Sequence, residues 1–385
     1  PSDYDTYLPL EVSLPPLPRL AHHTNPHMES KKPLTHAEKL RVAINSESFS
    51  IEDLRTLAWR GVPLELRASV WRVLLGCLPE IASRRPAVLK RTRAEYLDAL
   101  VRHNVDVASF EGDRLEEVGD EAATRKQIAL DTPRTAPGVR LFRVGRVELA
   151  LKRLLYLWAM RHPASGYVQG MNDLATPFLY VFIVEQILEF EEKEGAVGDK
   201  QIETGQHGVL QLESLDFLPQ ERMDNAEADT YYCFSALLDD IQDHYTFSQP
   251  GLQRRVIQLQ TLVQRLDPDL YEHFEHEKLQ FLQFAFRWMN CLLMRELSLG
   301  NILRLWDTYL SEPQGFSTFH VYTCAALLIT FSEDLQKESF QELVMFLQRL
   351  PTEKWSENDV ELLLSQAYMW KNIFNYAPSN LKKPN

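Results

Sequence analysis

At 385 residues, 45% hydrophobic and 25% charged, the chain has an ordinary globular balance and ample apolar material for a sizeable core. Its 54 acidic and 41 basic residues leave a net charge of −13. This argues against nucleic acid as the main partner and against general attraction to anionic membranes, while leaving room for a local basic patch. Length alone suits either two average domains or one large helical one.

In chain order, residues 1–35 come first, a Pro- and His-rich stretch ("LPLEVSLPPLPRLAHHTNPH") without helical period. They read as an extended, flexible lead. Pro15-Pro16-Leu17-Pro18 within it suits a plain linker better than a polyproline ligand. A first residue of Pro instead of Met is what a piece or a processed form of a longer protein would show.

From about Thr35 the pattern is helical almost throughout. Ser50 with Asp53 three residues on predicts a capping pair ahead of "LRTLAW". Leu66, Val70 and Leu74 repeat at four. Leu151, Leu154, Leu155 and Trp158 mark a helix that His162-Pro163 stops. Phe234, Leu237, Leu238, Ile241 and Tyr245, and then Val256 to Leu266, follow helical spacing. "FLQFAFRWMNCLLM", Phe281–Met294, is apolar nearly all round and predicts a buried central helix. Further helices are expected near 301–310, 318–331, 339–349 and 358–374. No period-two strand or Asn-Gly hairpin stands out, so the predicted fold class is all-α with no significant β-sheet.

One segment interrupts this pattern. Glu189–Asn225 is acidic, Gly-dotted and aperiodic at its start, and predicts an insertion at about 190–225, disordered in its first half. Helix is expected to resume near Ala226. Residues about 192–222 are accordingly expected to be removable at little cost. The domain then spans 36–376, with a tail at 377–385. Cys77, Cys233, Cys291 and Cys324 have no C-x-x-C neighbour or His at ligand spacing, and read as reduced core thiols of a cytoplasmic protein. The longest apolar run, "ATPFLYVFIV", is too short for a transmembrane segment.

Two side chains carry the chemistry. In "IALDTPRT", Arg134 is a permanent cation with a planar fork of donors. In "YVQGMNDL", Gln169 holds a donor amide and an acceptor carbonyl on one short arm. Together they can stabilise phosphate charge and orient a water. They cannot make a nucleophile, a metal site or a proton relay. Taken alone, Arg134 beside Asp131 would equally be an ordinary surface ion pair.

"IALDTPR" resembles the I-x-x-D-x-x-R motif of the TBC domain through Ile128, Asp131 and Arg134, and "YVQ" resembles its Y-x-Q motif through Tyr167 and Gln169. "RGVPLELRASVWRVLLG" is similar to the family's opening motif and "RLWDTYLSE" to its late Trp-Asp motif. "RHPASGYVQGMNDLATPF" and "FAFRWMNCLLMREL" are similar to the branch holding the yeast Golgi Ypt/Rab GTPase-activating protein and its animal relatives. The resemblance covers roughly residues 55–375.

It implies an all-helical domain of two helical lobes that accelerates GTP hydrolysis by a Rab-type small GTPase in its GTP form. It places an arginine finger on Arg134 and a glutamine finger on Gln169. Ile128, Asp131, Tyr167 and Gly170 would support them. Tyr167 would anchor the loop, Gly170 would permit close backbone approach, Asp131 would tether the Arg loop by backbone hydrogen bonds, and Pro133 would limit its freedom. No cofactor of its own is implied, because Mg-GTP travels with the partner. The branch points to recruitment from the cytoplasm to Golgi or vesicle membranes by peripheral association. A helical adaptor that binds Rab GTPases or other proteins without turnover is the alternative.

Among the remaining residues, Trp288 and Trp306 are expected in the core. Arg287 and Asp307 are expected to form a buried ion pair. Arg67 and Arg72 fit either partner contacts or a solvated helix face.

Overall fold

The computed structural model describes residues 34–47, 49–110, 119–194, 209–246 and 248–376. The expected lead, apart from Leu34 and Thr35, and the expected tail lie outside the described residues.

No β-strand occurs among the described residues. The helices run α1 (His36–Asn45), α2 (Ile51–Ala58), α3 (Leu64–Leu74), α4 (Arg85–Arg102), α5 (Asp120–Asp131), α6 (Gly145–Arg161), α7 (Met171–Glu194) and α8 (Gln220–Asp240). They continue as α9 (Pro250–Leu266), α10 (Pro268–His276), α11 (Leu282–Cys291), α12 (Leu299–Ser311), α13 (His320–Thr330), α14 (Ser332–Leu335), α15 (Phe340–Gln348) and α16 (Glu357–Tyr376). In one group α4, α6 and α7 pack against α8. In the other, α9 packs on α11 and α13, and α13 on α16. Between the groups, α12 touches α2, α3 and α7 as well as α16, and one continuous apolar core runs through both.

The central position goes to α7 and α12, not to the stretch Phe281–Met294. Every residue from Met171 to Val184 is buried, as is all of α12. By contrast α11 leaves Leu282 half exposed and stops at Cys291, where Leu292 and Leu293 turn left-handed at φ 49° and 62°. Periodicity cannot separate an apolar helix from an apolar helix end.

Ser50 caps α2, but its side chain accepts from the N–H of Glu52 rather than of Asp53. Trp288 and Trp306 are fully buried, as expected. The expected ion pair between Arg287 and Asp307 is corrected. Arg287 pairs with Glu296, while Asp307 accepts from Arg67 Nε and Nη2 at 3.1 and 3.0 Å. Asp307 also receives Trp71 Nε1 at 2.7 Å and the Val62 N–H at 2.9 Å. Arg72 is buried between Glu185 and Asp229, under the ring of Phe182. Neither Arg67 nor Arg72 lies on a solvated helix face. The stretch Arg60–Gly76 is clamped to α12 instead.

The segment expected to be an aperiodic insertion over about 190–225 is shorter than that. Helix α7 continues to Glu194 and α8 starts at Gln220. Residues 195–208 lie outside the described residues, but from Val209 the chain is docked: Val209, Leu210, Leu215 and Leu218 are all buried. The Leu210 N–H donates to Tyr180 Oη at 2.9 Å, and Arg146 Nη1 donates to the carbonyls of Leu215 and Leu218 at 2.6 and 2.8 Å. These apolar residues follow no helical or strand period, so pattern reading passes over them although they bury well. Removing residues about 192–222 is therefore expected to destabilise the fold. Leu215→Ala alone should lower unfolding free energy by about 2–5 kcal/mol in urea titrations. A loss below about 0.5 kcal/mol would return the segment to the surface.

Candidate active site

The last turn of α5 tightens into a 3-10 turn, Thr132–Arg134, because Pro133 cannot donate to a continuing α-helix. Ile128 is fully buried and roots this corner in the core. Thr132 Oγ1 donates to the Ile128 carbonyl at 3.0 Å, and Arg143 Nη1 donates to the Pro133 carbonyl at 2.6 Å. The next residue but one, Ala136, sits at φ 41°, a left-handed conformation that costs a non-glycine residue of order 1–3 kcal/mol.

Asp131 is the hub. Its carboxylate is only 4% exposed and accepts three hydrogen bonds. Arg134 Nη2 reaches Oδ1 at 3.0 Å, while Gln127 Nε2 and the Tyr167 hydroxyl each reach Oδ2 at 3.0 Å. The tether on the arginine turn is thus a side-chain carboxylate and not chiefly the backbone bonds expected, although the Asp131 carbonyl does accept from Thr135 Oγ1 at 3.2 Å. Arg134 remains 68% exposed at its side chain despite this pair, with Nε donating to the Leu130 carbonyl at 3.0 Å.

Tyr167 joins the two motifs. Burial, reinforced by the charge of Asp131, pushes its phenol far above the ordinary value, so it acts as a neutral donor. Its oxygen also lies 3.2 Å from Asn172 Oδ1, which accepts the Gly170 N–H at 3.2 Å. Asn172 Nδ2 returns to Thr135 Oγ1 at 2.9 Å. The arginine turn and the glutamine loop are therefore one hydrogen-bonded assembly.

Gln169 lies just before α7 and is exposed. Gly170 behind it adopts φ 104°, and a Cβ there would come within 2.6 Å of Asn290 Nδ2. Both the conformation and the close approach require glycine. In the first turn of α7, Asp173 is paired with Arg295 Nε at 2.8 Å. Burial raises its carboxyl above the usual range, against the lowering pull of Arg295. Pro177 removes the N–H that would otherwise bond the Asp173 carbonyl in the helix ladder.

Arg134, Asp131 and Gln169 share the lining of one open cleft of about 890 Å³. Its walls are the turn 136–140, Val209 with Gln211, and the stretch from Met294 to Gly300. Gly170 and Tyr167 stand behind Gln169, and Ile128 lies beneath the arginine turn. Among the described residues, no group of three or more His, Cys, Asp or Glu side chains could hold a metal ion. No described helix is long and apolar enough to cross a membrane.

Residues 64–336 match the sequence profile of the Rab-GTPase-TBC domain. The chain belongs to the Rab-GTPase-TBC family. The chain is 43% identical over 372 residues to the "GTPase-activating protein gyp1" of Schizosaccharomyces pombe, covering 96% of this chain and 68% of that protein. It is 43% identical over 355 residues to human "TBC1 domain family member 22A", covering 92% of this chain and 63% of that one. The chain thus spans about two thirds of the length of these relatives. The crystal structure of the Ypt/Rab-GAP domain of Gyp1p superposes with a TM-score of 0.75 at 40% identity, covering 88% of this chain and 98% of that one.

Several residues that brace the candidate site escaped the sequence reading. Asn172 stood inside the quoted "YVQGMNDL" with no assigned part. Asn290 was the only polar uncharged residue besides glutamine in an apolar run, which is a usable signal: a polar group there needs a partner. Arg140 and Gln211, which also line the cleft, gave no local signal at all, because the Arg140 N–H donates to Gln211 Oε1 across a long stretch of sequence.

Proposed function

We propose that this chain is a GTPase-activating protein that accelerates GTP hydrolysis by a Rab-type small GTPase, with Arg134 and Gln169 supplied in trans. One observation carries this reading: two exposed side chains of suitable chemistry share one cleft and are braced by one buried network. Phosphoryl transfer proceeds through a loose transition state, and catalysis is mostly positioning and electrostatics. A guanidinium stays charged and bridges two oxygens at once. An amide can accept from the attacking water while donating to a phosphate oxygen.

In the free protein Arg134 is folded back on Asp131 and Leu130. Releasing it is cheap, because the guanidinium is already largely solvated and Asp131 keeps the bonds from Gln127 and Tyr167. An arginine finger contributes about 10³–10⁵ in rate, or roughly 4–7 kcal/mol of barrier. The engaged state therefore wins by a wide margin. Asp131 stays behind, held by Gln127 and Tyr167, and keeps the turn aimed. Mg²⁺ and nucleotide arrive with the GTPase. The resemblance to the Golgi branch of the family points to a Golgi or early-secretory Rab and to peripheral recruitment to Golgi or vesicle membranes.

Phosphate release from a panel of GTP-loaded Rabs tests the reading. At least one Rab should be stimulated strongly, and a version of that Rab with its own catalytic Gln changed to Leu should still respond, since Gln169 takes over the water. Loss of all response to that Rab variant, together with full activity of Gln169→Ala, would rule out the glutamine finger.

A further inference from the structure

The backbone of the glutamine loop is held from outside its own motif. Asn290, at the end of α11, is 7% exposed, and its Nδ2 donates to the Gln169 carbonyl at 3.1 Å. The same amide lies against Gly170, close enough to exclude any side chain there. The assignment of the amide follows from the contact: the opposite orientation would set two acceptors face to face. Asn290 is itself fixed from behind. Its backbone carbonyl accepts from Tyr245 Oη at 2.8 Å, and burial keeps that phenol protonated and able to donate. The helix then stops at once, with Leu292 and Leu293 in the left-handed region, where non-glycine residues persist only if their surroundings hold them. The turn they make carries the chain to Arg295, which pairs with Asp173 in the first turn of α7. The loop bearing Gln169 is thus pinned at its carbonyl by Asn290 and at the helix that follows by Arg295.

We propose that Asn290 is a positioning residue for the glutamine finger, setting the Gln169 side chain by fixing its backbone carbonyl through the Asn290 Nδ2 bond. This rests on the trans-acting role proposed for Gln169 and extends it to α11, an element outside both finger motifs. A short side chain on a free loop samples many directions. Holding its carbonyl and its following residue removes most of that freedom before the partner arrives, which is how a positioned group gains its effect. Asn290 touches neither water nor phosphate in this scheme. Its effect must pass through Gln169.

The dependence on Gln169 supplies the test. Asn290→Asp keeps the shape but sets a carboxylate oxygen against the Gln169 carbonyl, and Asn290→Ala removes the contact without adding charge. Wild type, both variants, Gln169→Ala and the two double variants would be titrated by calorimetry into the best-responding Rab. The Rab would be loaded with GDP and aluminium fluoride, or with a non-hydrolysable GTP analogue. Melting temperatures would serve as a folding control. Each Asn290 variant is expected to bind the fluoride complex about tenfold more weakly, with the analogue complex changed less than about twofold. In the Gln169→Ala background the same substitutions should change fluoride-complex affinity by less than about twofold. An equal loss in both backgrounds would make Asn290 merely structural, and no loss in either would remove its role; both overturn the inference. Failure of the wild type to prefer the fluoride complex would instead overturn the activating function itself, so the two failures are distinguishable.

Discussion

Arg134→Ala is expected to lower kcat/KM on the responding Rab by about 10³ or more, with melting temperature unchanged within error. Arg134→Lys should fall nearly as far, because an ammonium supplies charge without the fork. The folded protein has little to lose from either change. Arg134 is 68% exposed, so its side of the pair with Asp131 is largely solvent-screened. Asp131 would keep its bonds from Gln127 and Tyr167. Single-turnover phosphate release and a thermal melt on the same preparations check both halves. Retention of more than about a tenth of the activity would be too much for an arginine finger.

Asp307→Ala should have the opposite profile, with a large effect on stability. Its carboxylate is fully buried and receives Arg67, Trp71 and the Val62 N–H. Truncation leaves the Arg67 cation half-desolvated and two buried donors without an acceptor. Breaking a buried pair in this way costs about 3–5 kcal/mol, and orphaned donors add to it. Chemical denaturation should show the loss directly. At a temperature where the variant is still folded, stimulation per folded molecule should be near that of the wild type, because neither Asp307 nor its partners line the cleft. A loss under about 1 kcal/mol would mean that the clamp between α3 and α12 is not what holds those helices.

Much of this was legible in the residues. The all-helical class followed from apolar spacing, and the helix around Leu151–Trp158 stands where that spacing set it, whereas the run expected from Phe234 to Tyr245 stops at Asp240 and ends in a 3-10 turn, Gln242–His244. Arg134 and Gln169 were visible as chemistry, and their motifs are brought to one cleft. What pattern reading could not supply was pairing. Asp307 takes Arg67 and not Arg287, and Arg72 takes Glu185 and Asp229, because such choices depend on which helices cross. Separations of over a hundred residues leave no local trace. The docked arm from Val209 was missed for another reason. Its apolar residues fill gaps beside Tyr180 and α6 without lining one face of an element, so no period marks them. Asn290 lay between these cases, since a buried amide in an apolar helix announces a partner but not which one.

The central claim is that the cleft recognises charge that develops during phosphoryl transfer. Calorimetry of the protein with Rab·GDP, in the presence and absence of aluminium fluoride, tests this most directly. The fluoride stands in for the transferring γ-phosphoryl group. Since a catalytic site binds the transition state more tightly than the ground state, affinity should rise by about 10² or more with fluoride. The gain should vanish in the Arg134→Ala, Gln169→Ala double variant, leaving only the weak contact of the surrounding helical surface. Equal affinity with and without fluoride in the wild-type protein would contradict a catalytic role and leave a Rab-binding adaptor in its place.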